Sequence, residues 1–148
     1  FEIIPGITAA SGVSAYAGIP LTGRNISQGV QFLVYNPERN YSPERWSVLA
    51  QTSDTLIFYM AARNICVLSG ILLQYGKAPE TPIAIVEQAT TPYQRVNISA
   101  LATCTKDFSE KEFSSPSLVI IGEVVSLHQS YQWFEGGKEG SLFREMTR

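Results

Sequence analysis

Thr55-Leu56-Ile57-Phe58-Tyr59-Met60 (TLIFYM) is an unbroken apolar run of strand length, and its reading decides the fold. A strand with one face in water alternates polar and apolar residues. One that does not alternate is covered on both faces, as the strands of α/β sheets are. The next stretch agrees: residues 61–75 carry Ile65, Leu68, Ile71, Leu72 and Tyr75 at helical spacing and close on Gly76. Two more runs of the same buried kind occur at residues 81–87 (TPIAIVE) and 117–125 (SLVIIGEVV). Residues 29–35 (GVQFLVY) mix β-branched and aromatic side chains and read as a strand. Residues 94–101 alternate, with Val96 and Ile98 on one face, so a more exposed strand is expected there. It comes after residues 81–87 with only a short turn between, which implies at least one antiparallel pair.

Helices fill the gaps. Thr8 stands where an N-cap belongs, and residues 9–17 form a helix of small residues stopped by Gly18 and Pro20. Ser42-Pro43 opens a helix over residues 44–50, and residues 126–134 read as a closing helix. Residues 1–4 read as an extended piece that ends at the turn pair Pro5-Gly6. The expected class is α/β: a mixed sheet of about five strands flanked by helices.

The 148 residues suit a single domain, and with 45% hydrophobic and 16% charged residues the chain is apolar enough to fold. A net charge of −2 gives no general attraction to nucleic acid or to anionic lipid, so neither is an expected partner. Cys66 and Cys104 have no motif spacing, and with His128 as the single histidine they make no recognisable zinc set. Two isolated thiols fit a reducing cytoplasm, the expected location, and the Asn25 and Asn97 sequons read as chance. No apolar run reaches the roughly 18 residues that span a bilayer.

No G-x-G-x-x-G, P-loop, H-E-x-x-H or G-x-S-x-G motif occurs. Open α/β sheets bind ligands beyond the carboxyl ends of their strands, which directs attention to Thr8-Ala9, Met60 and Ala89-Thr90. Each has an ordinary reading as well: Thr8 as a helix cap, Met60 as a flexible core filler, Ala89 as a turn residue. Arg24 and Arg95 read as solvated charges beside turns, and His128 as a surface or packing residue.

Four motifs narrow this. IPGITAASGVSAYAGIPLTGR (residues 4–24), LIFYM (56–60), EQATTPYQR (87–95) and SPSLVIIGEVVSL (115–127) resemble, in the same order, motifs of the uroporphyrinogen III C-methyltransferases. They span most of residues 2–134. The resemblance implies the C-terminal domain of the tetrapyrrole methylase fold and methyl transfer from S-adenosylmethionine, without a metal. Two ring carbons of uroporphyrinogen III are the acceptors, and precorrin-2 forms on the way to sirohaem and cobalamin. The alternatives are another precorrin methyltransferase or a non-catalytic module that binds S-adenosylmethionine or a tetrapyrrole. By residue-by-residue match, Thr8, Ala9, Met60 and Ala89 are expected to contact the cofactor. The substrate's eight carboxylates favour arginine, and Arg24 is the expected substrate contact.

Three departures accompany the match. Gly23 stands where the family usually has histidine, and Ala61 replaces a common glycine. The family's G-x-G-P-G-D and G-G-D-P motifs, which carry cofactor contacts and the proposed acid/base residues, do not occur. The expectation is a C-terminal half whose N-terminal domain is missing: residues 1–7 a connector, 8–134 the domain and 135–148 a polar, loosely held tail. No catalytic residue is expected within it, and the parent protein is expected to be a homodimer.

Overall fold

Five strands form one sheet in the computed structural model, which describes residues 1–39 and 41–142. They are β1 (Val30–Val34), β2 (Thr55–Tyr59), β3 (Pro82–Glu87), β4 (Arg95–Ala100) and β5 (Ser117–Ile121), in the spatial order β1-β2-β5-β3-β4. β1 and β2 are parallel, while β5 runs antiparallel to both β2 and β3, and β4 antiparallel to β3. The sheet is therefore mixed, as the short turn before β4 implied. Because β1, β2 and β3 all point one way, their carboxyl ends share one edge of the sheet.

Alternation along the buried strands divides their side chains between two cores. Leu56, Phe58, Ile83, Ile85, Val119 and Ile121 face α2 (Pro43–Gln51), α3 (Ile65–Gln74) and α4 (Cys104–Phe108). Ile57, Ala84, Val86, Leu118 and Ile120 face α1 (Ala9–Ala17) and the 3-10 turn Glu123–Leu127. Residues 55–58 are buried without alternation because an apolar layer covers each face of the strand, while Tyr59 is half-buried and Met60 emerges at its end. Each fully buried Leu, Ile or Phe contributes roughly 1.5–3 kcal/mol, so these two layers dominate the stability.

α1 is held by its C-terminal end. Its last four carbonyls have no partner inside the helix, and each finds one outside. Ser14 O accepts from the N–H groups of Gly18 and Ile19, Ala15 O from the Trp133 indole at 2.8 Å, and Tyr16 O from the Gln94 amide at 3.2 Å. His128 Nδ1 donates to Ala17 O at 2.6 Å, which makes His128 the packing residue its isolation suggested. The Trp133 and Phe134 rings close on Tyr16, with centroids 5.1 and 5.0 Å away. Gly18, at φ +62°, takes the left-handed turn that stops the helix.

Several elements differ from the sequence reading. Residues 1–4 do not join the sheet, and Phe1, Ile3 and Ile4 stand exposed. β5 stops at Ile121 because Gly122, at φ +140°, leaves the strand and the chain turns into Glu123–Leu127. The closing helix is consequently short, α5 (His128–Tyr131). α4 was not anticipated; its apolar residues Cys104 and Phe108 are a single helical turn apart, and packing on α3 carries it. Part of the polar tail is tied down, with Gly137 N–H donating to Gln94 O at 2.9 Å and Lys138 N–H to Pro92 O at 3.0 Å. Residues 143–148 of that tail lie outside the described residues.

Candidate functional site

Thr8, Ala9, Met60 and Ala89 converge on the carboxyl edge of the sheet. Met60 comes directly after β2 and Ala89 shortly after β3, and the start of α1 lies over the same edge because Tyr59 reaches it. The hydroxyls of Tyr59 and Thr8 are hydrogen-bonded to each other, and the Ala10 N–H donates to the Tyr59 hydroxyl at 3.3 Å. Thr8 and Ala9, themselves exposed, are thereby fixed beside the end of β2.

The ordinary readings of these residues give way at two points. Thr8 holds the N-cap position with extended backbone, but its side chain caps no amide of α1, its hydroxyl being engaged by Tyr59. Met60 is not a core filler: its side chain is 70% exposed. Its backbone sits at φ +58°, a left-handed conformation that costs a non-glycine residue on the order of 1–2 kcal/mol. An exposed, strained thioether at a strand end is the kind of outlier from which a functional reading starts.

The Ala89 corner is built by buried polar residues that the sequence reading did not single out. Glu87, 3% exposed, accepts from Asn97 Nδ2 at 2.9 Å and from the Ser114 N–H at 2.6 Å, which fixes the approach to β5. Gln88 N–H donates to Pro116 O at 2.8 Å, and the Gln88 side-chain oxygen accepts from Ser141 Oγ and the Leu142 N–H. Gln94 Oε1 accepts from the Thr90 N–H at 2.9 Å. Gln88 and Thr90 both have positive φ, at +43° and +69°, so the chain folds back sharply and presents Ala89 between them. Thr90 lies against α1, where a Cβ on Gly12 would sit 3.5 Å from its methyl group.

Among the described residues nothing accepts from the backbone N–H of Ala9 or of Ala89. Two open donors, one of them in the first turn of a nine-residue helix, lie at the same edge as Met60. A cleft of about 340 Å³ runs alongside, lined by Tyr59, Met60, Ala62, Arg63, Ser115, Pro116 and Ser117. This set can take a ligand that combines hydrogen-bond acceptors with an apolar or sulfur-bearing surface.

Arg24 is elsewhere. Its loop is pinned to the opposite edge, where Ser27 Oγ accepts from the Thr55 N–H at 3.0 Å at the very start of β2. Five residues of strand, roughly 16 Å, separate it from Met60. Around it lies a shallower hollow of about 430 Å³ formed by Thr22, Gly23, Arg24, Asn25, Ser27 and Gln28. The same edge holds Lys77, whose Nζ donates to Thr52 O at 3.0 Å; burial pushes its ammonium below the usual lysine range, against the pull of Glu123 and Asp54. The two hollows share no lining residue.

Comparison with known proteins fits this geometry. The description Tetrapyrrole (Corrin/Porphyrin) Methylases matches residues 1–104. This chain belongs to the tetrapyrrole methylase family. It is 43% identical over 138 residues to the siroheme synthase of Pseudomonas fluorescens, covering 93% of this chain and 30% of that protein. Among solved structures it is similar to the uroporphyrin-III C-methyl transferase of Thermus thermophilus complexed with S-adenyl homocysteine. There the TM-score is 0.69 at 28% identity, over 85% of this chain and 54% of the other. Cobalt precorrin-4 methyltransferase shares the fold, with a TM-score of 0.72 at 18% identity, over 84% of this chain and 52% of that one. The chain thus spans about 30% of the curated tetrapyrrole methylase relatives and about half of these solved structures.

The methylase fold brings Thr8, Ala9, Met60 and Ala89 together on one edge, and Arg24 does not join them. Tyr59, Glu87, Gln88 and Gln94 were missed as the residues that position this edge. Their signal was present in the EQATTPYQR and LIFYM motifs, but only as letters without partners.

Proposed function

We propose that this chain is the C-terminal part of an S-adenosylmethionine-dependent uroporphyrinogen III C-methyltransferase that forms precorrin-2. The observation that carries the reading is the 43% identity to a siroheme synthase across 93% of the chain. The similarity to a uroporphyrin-III C-methyl transferase complexed with S-adenyl homocysteine supports the same cofactor and substrate class.

The donor set fits the cofactor. S-adenosylmethionine, when bound, supplies a methyl group on a sulfonium sulfur to an electron-rich pyrrole carbon. The residues of this chain bind and orient. The Met60 thioether offers a polarizable wall, and the open N–H groups of Ala9 and Ala89 offer hydrogen bonds to acceptors. Small side chains at Ala9 and Ala89 let the backbone come close. Tyr59 holds the Ala9 donor in register with the Met60 wall. Methylation of a ring carbon that already bears a carboxylate arm leaves that carbon quaternary and the ring cationic, and the proton that restores neutrality leaves from the ring nitrogen or an adjacent bridging carbon; the group that accepts it is expected in another part of the enzyme.

On this reading residues 1–7 are a connector to a further domain. The exposure of Ile3, Ile4 and Ile7, each above 80%, supports it, since apolar side chains at that density ordinarily have a cover. The parent is expected to be a cytoplasmic homodimer, with Arg24 meeting substrate carboxylates at a contact separate from the cofactor edge. A methyltransferase assay with uroporphyrinogen III and methyl-labelled cofactor tests the function. Turnover by the full-length protein and none by residues 1–148 alone is the expected result. Turnover by the 148 residues at the full-length rate would show that the acid/base groups are inside them.

A further inference from the structure

The cleft beside Met60 contains a cation to which no role has been given. Arg63 sits in the 3-10 turn Ala62–Asn64, immediately after Met60 and Ala61. Its side chain is exposed, and no described residue forms an ion pair or hydrogen bond with its guanidinium. The turn that carries it is firmly seated. Ala61 and Ala62 are buried at 0% and 6% exposure, and the Asn64 N–H donates to Ala61 O at 2.9 Å. An unpaired guanidinium is therefore displayed from a rigid base at the rim of the cleft.

The rest of the lining says what would meet it. Met60, Tyr59 and Pro116 give an apolar wall, and Ser115 and Ser117 add short hydroxyl side chains to the lining. A largely apolar ring system with carboxylate arms suits such a surface, a pyrrole face against the wall and an arm on the cation. The forked donors of arginine match a carboxylate in two parallel hydrogen bonds, which a lysine cannot supply.

We infer that Arg63 binds a carboxylate at the Met60 cleft and that this carboxylate is an arm of the tetrapyrrole substrate. The inference rests on the proposed methyltransferase function. The amino-acid end of the cofactor also carries a carboxylate, so the experiment has an arm for each source.

In the full-length protein, Arg63→Gln and Arg63→Lys are compared with the unaltered chain by titration with uroporphyrin III, monitored by fluorescence, and with S-adenosylhomocysteine, monitored by calorimetry. Arg63 is exposed and unpaired, so both variants are expected to keep the thermal midpoint. Arg63→Gln should weaken uroporphyrin binding about tenfold, the usual scale of a hydrogen bond to a charged group. Arg63→Lys should recover part of that loss, and S-adenosylhomocysteine should bind all three proteins alike. In turnover, Arg63→Gln should raise KM for uroporphyrinogen III and leave kcat unchanged. Weakened S-adenosylhomocysteine binding with unchanged uroporphyrin binding would overturn the substrate assignment, and no change in either would overturn the role of Arg63 altogether. If the unaltered protein binds S-adenosylhomocysteine but not uroporphyrin III, the uroporphyrinogen reading itself fails, a result distinct from failure of Arg63.

Discussion

The Tyr59 hydroxyl joins the end of β2 to the start of α1: it pairs with the Thr8 hydroxyl and accepts from the Ala10 N–H at 3.3 Å. Among the described residues no other side chain bonds the strand end to the first turn of the helix. Tyr59→Phe keeps the ring and removes the link. The expected loss of stability is about 1 kcal/mol in urea unfolding, the net worth of such bonds near the surface. S-adenosylhomocysteine affinity should fall further than that loss accounts for, because Ala9 is no longer held in place. Calorimetry showing unchanged affinity would mean that the Tyr59 link serves folding alone.

Met60→Gly separates conformation from contact. At φ +58° glycine carries no steric penalty, and the 70% exposed side chain contributes little packing. Stability should rise by roughly 0.5–1 kcal/mol once the extra entropy of glycine is subtracted. Cofactor affinity should drop at the same time, since the thioether wall is gone. A variant that gains stability and loses binding identifies the strain as retained for function; one that loses stability and keeps binding refutes that account.

The fold was legible in the sequence where burial is two-sided. The buried parts of TLIFYM, TPIAIVE and SLVII lie between two packed layers, so their apolar letters carry the strand signal without alternation. β5 was read too long because nothing in IIGEVV reveals that Gly122 adopts φ +140°. α4 was invisible because its helical state depends on Cys104 and Phe108 packing against α3, a tertiary effect that local spacing does not encode. The positioning residues were hidden for the same reason: Tyr59 meets Thr8 from 51 positions away, and Gln94 meets Tyr16 from 78. Motif order does not reveal that Arg24 lies at the opposite edge from Met60; the sheet topology alone separates the two.

Two glycine-to-alanine changes should move stability in opposite directions. At Gly18, φ is +62° and a Cβ would lie 2.4 Å from Tyr131 O, a backbone atom that cannot move aside. Gly18→Ala should cost at least about 2 kcal/mol. Gly70 lies inside α3 with nothing within 4 Å of a Cβ, so Gly70→Ala should stabilise by roughly 0.5–1 kcal/mol. Urea titration of both variants checks the pair, and a common sign would contradict it.

Alkaline pH should expose the Cys104 thiol as a linked group. Burial, with smaller contributions from Cys66 and Asp107, pushes its pKa up to about 11 in the folded chain. An unfolded thiol ionises near 8.5, so between there and about 11 the unfolded state sheds a proton that the folded state keeps. Stability contributed by the protonated thiol is complete below the unfolded pKa and is lost as pH rises. The loss over that window should be on the order of 1–3 kcal/mol. Cys104→Ala removes this component, so its stability should fall less steeply above about pH 8.5 than that of the unaltered chain. Parallel slopes would show that the thiol is not linked to folding.

Arg24→Ala asks whether the two edges of the sheet act separately. The loop carrying Arg24 is fixed by Ser27 to the amino end of β2, while Met60 marks its carboxyl end. Removing the exposed guanidinium should change stability by less than about 0.5 kcal/mol and leave S-adenosylhomocysteine affinity as it was. If Arg24 meets substrate carboxylates, uroporphyrin III binding by the full-length protein falls severalfold. Gly23→His belongs to the same test. The nearest atoms to a Cβ at Gly23 belong to the Ile26 side chain, at 3.5 Å, an ordinary contact, and the backbone there is not left-handed, so a side chain can start from this position without strain. An imidazole that orients Arg24 should tighten uroporphyrin binding when Arg24 is present and have no effect in the Arg24→Ala background. Equal effects in both backgrounds would mean that the histidine acts without Arg24, and a loss of cofactor affinity in Arg24→Ala would overturn the separation of the two edges.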